Sequence, residues 1–195
     1  MRNLVVFASG SGSNFQSIID AIKNGELNAQ ITGLVSDRDN IQAIERAQQN
    51  RIPVYISNPA SFNSQDMYAI NLIKKLTEWK TDLIVLAGYL KKIPSSLIEA
   101  YPKRILNIHP SLLPKYGGKG FYGIRVHQAV LDAKEKESGC TVHLVTEEFD
   151  EGPVLDQIKV PVKPKDSPKD LANRVLKQEH KLYPEVIQNY LSTLN

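Results

Sequence analysis

Over the first ninety residues, short apolar runs alternate with segments of helical period, and this alternation restricts the fold severely. Residues 4–8, Leu-Val-Val-Phe-Ala, form an unbroken apolar run, as strands buried on both faces of a parallel sheet do. Residues 13–22 carry Phe15, Ile18, Ile19 and Ile22 at helical spacing, with Ser13 placed to cap the helix and Gly25 to end it. Residues 31–35 predict a second strand. Residues 41–49 predict a second helix with Ile41, Ile44 and Ala47 inward, and residues 53–56 a third strand. Residues 62–80 read as a long helix with Met67, Ile70, Ile73, Leu76 and Trp79 on one stripe. Residues 83–87 are the most apolar run and are expected at the sheet centre. Such an order requires parallel strands joined by right-handed crossovers.

The pattern then changes. A short helix is expected over residues 96–101 and a strand over 104–108, followed by a loop rich in Pro and Gly from 110 to 123. A helix over 125–134 precedes strands at 141–145 and 154–162, which read as an antiparallel pair. A terminal helix spans 170–191, with Pro184 expected to kink or break it. The predicted architecture is a single α/β domain over residues 1–195. Its open, twisted, mostly parallel sheet has about seven strands with helices on both faces, and a strand near the C-terminus runs antiparallel. In such sheets ligands bind beyond the carboxyl ends of the strands, here after Ala8, Ala87 and Ile108.

Composition excludes several classes. A chain of 195 residues buries enough surface to need no disulfide or metal staple. The single cysteine, Cys140, excludes an internal disulfide and Cys-rich zinc sites, and reads as a small buried hydrophobe at the start of a strand. Twenty-four Lys and Arg against 21 Asp and Glu leave +3, too little to argue for nucleic acid or a membrane surface. No run approaches the ~18 apolar residues of a membrane helix. The apolar run at residues 4–8 is too short for a signal peptide, so a cytoplasmic protein is expected.

Three segments carry candidate chemistry. Ser9-Gly10-Ser11-Gly12-Ser13-Asn14 joins the first strand to the first helix. Phe15 stands where a dinucleotide fingerprint needs a third small residue, and it also breaks the common phosphate-loop pattern. Small residues and hydroxyls at a helix N-terminus still suit one phosphate, although they equally suit a plain tight turn. Asp37, after the second strand, mimics a ribose-binding acid, but the missing third small residue argues against that role. In Asn107-Ile108-His109-Pro110, Asn107 and His109 share one strand face. An amide donor beside an imidazolium suits a developing oxyanion; the plainer alternative is a strand-end pair that bonds the neighbouring loop. A carboxylate partner is wanted, and Glu147, Glu148, Asp150 and Glu151 are the candidates in the turn before Gly152-Pro153. Spacing does not choose among the four.

These segments, together with Leu86-Ala87-Gly88-Tyr89, the run Asn107-Ile108-His109-Pro110-Ser111-Leu112-Leu113-Pro114, Asp150-Glu151-Gly152-Pro153 and Gln178-Glu179-His180, make the chain resemble the glycinamide ribonucleotide formyltransferases. These are folate-dependent enzymes of purine synthesis with a Rossmann-like sheet, and the resemblance covers nearly the whole chain. It implies transfer of a formyl group from 10-formyltetrahydrofolate, a co-substrate, to the amine of glycinamide ribonucleotide. It also implies that Asn107, His109 and Asp150 match the catalytic trio and that Gly12, Ser13 and Asn14 match the loop holding the substrate phosphate. Glu179 matches an acid that binds ribose hydroxyls. Lys91, Lys92 and Ile93, with Val145, Thr146, Glu147, Glu148 and Phe149, match the folate-lining segments. The family's common Met-Arg pair stands here as Leu90-Lys91, and lysine lacks arginine's planar fork. The glycine-rich stretch 116–123 looks like a variant flexible loop and receives no chemistry. His127, His143 and His180 are expected to be structural or peripheral.

The expected mechanism is direct attack of the amine on the formyl carbon. Asn107 and protonated His109 would hold the oxyanion, and Asp150 would favour the charged imidazole, with no metal and no covalent enzyme intermediate. Partners are small molecules, not nucleic acid or membrane; monomer and homodimer both remain open. The rivals are methionyl-tRNA formyltransferase, formylfolate hydrolase, and a non-catalytic phosphate-binding module. The chain's length is expected to disfavour the first two, which usually carry an extra domain, and the complete Asn107, His109 and Asp150 set disfavours the third.

Overall fold

The computed structural model describes residues 1–194. Its strands are β1 (Arg2–Ala8), β2 (Ala29–Ser36), β3 (Val54–Ile56), β4 (Leu83–Leu86), β5 (Ile105–His109), β6 (Glu137–Leu144) and β7 (Val154–Pro161). The helices are α1 (Ser13–Lys23), α2 (Gln42–Gln49), α3 (Gln65–Glu78), α4 (Ser95–Ala100), α5 (Ile124–Asp132) and α6 (Pro168–Leu191). The strands form one sheet in the order β3-β2-β1-β4-β5-β6-β7. The first five are parallel; β6 and β7 each pair antiparallel to the preceding strand. The apolar β4 takes the middle place, and all four of its residues are buried. At about 1.5–3 kcal/mol per buried aliphatic side chain, no other position would repay this sequence as well.

Alternation along the strands splits the core in two. Leu4, Val6 and Ala8 of β1 face a cluster with α1, α2, α5 and α6, whereas Val5 and Phe7 face α3 and α4. Tyr183 of α6 is fully buried, and its hydroxyl sits 3.0 and 3.1 Å from the carbonyls of Leu86 and Leu106. The longest helix is thereby pinned to the carboxyl end of β4 and to the neighbouring part of β5, close to where the sheet should present its ligand site.

Four expectations change. Ser13 is not the cap of α1: Gly12 is, at φ +67°, and no side chain caps the helix. The stripe expected on α3 is turned, since Met67 and Ile70 are exposed while Tyr68, Ala69, Leu72 and Leu76 are buried. A strict spacing of three drifts about 60° per step round a helix of 3.6 residues per turn, so it cannot stay on one face. Strand β6 begins at Glu137, which puts Cys140 in its middle; burial pushes the thiol up to about 12, as an inert core residue. Helix α6 runs through Pro184 without a break. The proline removes a bond to the His180 carbonyl, but the buried residues on either side hold the helix together.

Candidate functional site

Strand β5 delivers Asn107 and His109 to its carboxyl end on one face. The antiparallel register of β6 sets His143 directly opposite Asn107 and Thr141 opposite His109. The chain then leaves β6, turns through residues 145–153, and returns as β7. Gly152 makes that turn possible: a Cβ there would lie 1.7 Å from the Leu144 carbonyl oxygen. Asp150 sits in this turn at φ +59°, a left-handed conformation that Asp tolerates better than most residues.

Of the four candidate acids, Asp150 alone turns inward; Glu147, Glu148 and Glu151 are exposed. Its Oδ1 accepts from Asn107 Nδ2 at 3.3 Å and lies 3.4 Å from His143 Nε2. Its Oδ2 accepts from the Gly118 backbone N–H at 2.9 Å and lies 3.4 Å from His109 Nδ1. The His143 Nε2 also lies 3.1 Å from Asn107 Nδ2. Burial raises the Asp150 pKa, but His143, the neighbouring His109 ring and the Gly118 amide outweigh it and hold the carboxyl below its ordinary range.

His109 is buried, and its Nε2 donates to the Tyr116 carbonyl at 2.7 Å. Both ring nitrogens therefore face acceptors, an arrangement that only the imidazolium satisfies in full. Burial nevertheless lowers the His109 pKa by more than Asp150 and Tyr116 raise it. The charged form expected from the sequence is thus the minor one in the free protein at neutral pH. A second negative charge arriving beside the ring would favour it.

At the other end of the same cleft, α1 begins. Its first turn has no side-chain cap, so its leading N–H groups are free for an anion. Gly12 is required twice over, by its positive φ and because a Cβ would lie 2.8 Å from that of Ala43 on α2. Asn14 Nδ2 donates to Glu179 Oε2 at 2.6 Å, while Asn14 Oδ1 is buried without a protein partner. Burial raises the Glu179 pKa, and the Asn14 bond only partly offsets it.

The cleft has a volume of about 650 Å3 and brings together the residues to which the resemblance gives a role: Gly12 to Asn14, Lys91 to Ile93, Asn107, His109, Val145 to Asp150, and Glu179. Lys92 Nζ lies 5.8 Å from the centre of the Phe149 ring, which joins the two segments expected to line a folate pocket. A groove of about 720 Å3 between α1 and α6 shares only Ser13 with that set. His180 borders this groove, so it is peripheral as expected.

His143 and His127 are not peripheral. Both are buried and line the cleft. Burial, aided by the nearby His109, lowers the His127 pKa to about 4. The glycine-rich loop is likewise part of the site, through the Gly118 amide and the Tyr116 carbonyl. His143 was within reach of strand parity once β6 is paired antiparallel to β5. The two backbone groups leave no mark in a sequence.

Residues 2–187 match the family model described as formyl transferase. A chloroplastic phosphoribosylglycinamide formyltransferase of Arabidopsis thaliana is 46% identical over 187 residues, or 95% of this chain and 64% of the plant protein. The chain thus spans less than two thirds of that relative's length. The phosphoribosylglycinamide formyltransferase of Escherichia coli (strain K12) is 40% identical, over 95% of this chain and 85% of its own. The crystal structure of glycinamide ribonucleotide transformylase 1 from Symbiobacterium toebii superposes with a TM-score of 0.93 at 36% identity, covering 99% of this chain and 89% of that one. With a family match across almost its whole length and the site geometry above, the chain belongs to the formyl transferase family.

Proposed function

We propose that this chain is a catalytic domain that moves a formyl group from 10-formyltetrahydrofolate to the amine of glycinamide ribonucleotide. The observation that carries the reading is the contact of Asp150 with both Asn107 and His109, in a cleft whose far end is an uncapped helix N-terminus. The names of the Arabidopsis and Escherichia coli relatives support formyl transfer to the same ribonucleotide.

Each group has a role in this reading. The first-turn N–H groups of α1, at Gly12, Ser13 and Asn14, hold the substrate phosphate. Glu179, braced by Asn14, accepts from the ribose hydroxyls. Lys91, Lys92, Ile93 and residues 145–149 form the walls for the folate. The substrate amine adds to the formyl carbon, and the Asn107 amide and His109 stabilise the oxyanion. That negative charge beside the ring, with Asp150 at Nδ1 and the Tyr116 carbonyl at Nε2, raises the His109 pKa from its depressed value and draws a proton onto Nδ1. The intermediate then collapses with cleavage of the bond to the folate nitrogen. One proton leaves the attacking amine and one reaches the folate nitrogen, so protons balance, and Asp150 and His109 are the relay. His143 keeps Asn107 and Asp150 in register.

The test is a turnover assay with a 10-formylfolate analogue, followed by absorbance. Deformylation that depends on glycinamide ribonucleotide, and is absent with water alone or with charged methionyl-tRNA, is expected. Equal rates with and without the ribonucleotide would replace this reading with a hydrolase.

A further inference from the structure

Asp37 follows β2 and is only 2% exposed. A carboxylate this deep needs partners. Arg38 Nη2 lies 2.9 Å from its Oδ2, Lys91 Nζ lies 3.6 Å from the same oxygen, and the Ser9 hydroxyl is near enough to help lower its pKa. Burial raises its pKa, but these partners prevail and hold it below the ordinary carboxylate range, so it is charged at neutral pH. Two of the three partners lead into residues 88–93. Lys91 belongs to that segment. The Ser9 Oγ accepts from the Leu90 N–H at 3.0 Å, and the Ser9 N–H donates to the Gly88 carbonyl at 3.2 Å. A hydroxyl has one proton; with that proton turned toward Asp37, its lone pairs are left for Leu90. Tyr89 ties down the same segment from its other side. Its hydroxyl lies 2.6 Å from that of Tyr68, and its ring meets Phe7 edge-on. Asp37 itself does not line the cleft.

We infer that Asp37 is a positioning residue for the folate wall: through Lys91 and the Ser9 hydroxyl it holds residues 88–93 in place. This rests on the functional reading above. In this arrangement the Lys91 ammonium ties the segment after β4 to the residue after β2, while Lys91 also lines the cleft.

Asp37→Asn retains an oxygen for the Ser9 hydroxyl and removes the charge that holds Lys91. The KM for the formylfolate analogue is expected to rise about threefold to tenfold, the size typical of effects relayed through a second residue, with kcat and the KM for the ribonucleotide within about twofold. Lys91→Met should do the same and Lys91→Arg should restore the wild-type value. The double variant Asp37→Asn/Lys91→Met should be no worse than Lys91→Met alone. Amide exchange at Leu90 should speed up in Asp37→Asn and in Lys91→Met. The inference is overturned if the donor KM is unchanged in both single variants, if the two effects multiply, or if both KM values rise together as the fold weakens. If Asp37→Asn does not fold, the Lys91 pair decides alone. If the wild type shows no formyl transfer, the functional reading fails, and the exchange rate at Leu90 still decides whether the brace exists.

Discussion

Replacing Asp150 with asparagine removes a charge and leaves the size of the side chain unchanged. The residue sits at φ +59°, which Asn also tolerates, so the turn keeps its shape. The carboxylate accepts on both oxygens, from Asn107 Nδ2 on one and from the Gly118 N–H on the other. An amide has a single oxygen. Whichever way it turns, its NH2 faces one of those donors, and a buried donor left unsatisfied costs about 1–3 kcal/mol. For a chain of 195 residues that is a fall of about 2–10 °C in Tm. The effect on rate is larger. Unit charges separated by the 3.4 Å between Asp150 and His109 interact by about 5 kcal/mol at an effective dielectric constant near 20. That figure is the ceiling on what Asp150 contributes to an imidazolium formed in the transition state. Turnover should therefore fall by about 10^2-fold to at most about 4 × 10^3-fold. Neither KM should move much, because the lost interaction is made only as charge develops. Initial rates at saturating formylfolate analogue and ribonucleotide, with a thermal melt of the same sample, measure both effects. Turnover within tenfold of wild type, in a protein that melts normally, would refute the charge argument and leave Asp150 as a structural acceptor.

Asn107→Ala removes the proposed oxyanion donor and should lower kcat by a hundredfold or more; near-normal turnover would sink its assignment. Glu179→Gln should raise the KM for the ribonucleotide by about fivefold to tenfold while leaving the donor KM unchanged, and a matching rise in the donor KM would count against a ribose role. His127, with its pKa lowered to about 4 from an ordinary 6.5, stays neutral in the fold at a pH where the unfolded chain already binds a proton. Stability is thus lost as pH falls from 6.5 toward 4, by about 2 kcal/mol at pH 5 from this group. His127→Gln should flatten the acid limb of urea midpoints against pH, and parallel curves would show the group has no such effect. Gly152→Ala drives a Cβ to 1.7 Å from the Leu144 carbonyl oxygen. Since backbone must move to admit it, a loss of about 2–3 kcal/mol is expected together with loss of turnover, and an unchanged Tm would contradict the close approach.

Much of the fold was legible locally. The order of elements follows from the switch between strand and helix periods, and the central place of β4 follows from its four apolar residues. Asn107 and His109 share a face because strand parity demands it, and the resemblance singled out Asp150 from four neighbouring acids. The errors lie where position depends on something other than local pattern. A spacing of three points Met67 and Ile70 inward, but that spacing cannot hold one face of a helix, and Tyr68 and Leu72 are buried instead. Ser13 looks like a cap by type, but the chain caps α1 with Gly12 because α2 packs against that point.

By itself the sequence determined the architecture, the strand ends that bear the site and the residue types available for its chemistry. Those follow from periodicity and turn composition, which act over a few neighbouring residues. Only the tertiary structure decided which groups meet. The register of β6 on β5 brings His143 across from Asn107, and the returning turn at Gly152 aims Asp150 between two histidines. The Tyr116 carbonyl and the Gly118 N–H complete the site with atoms every residue possesses. It also decided charge state: burial lowers the His109 pKa, and the surrounding partners keep Asp150 ionised. Desolvation and Coulomb energies depend on distances between residues dozens of positions apart, and only the folded chain sets those distances.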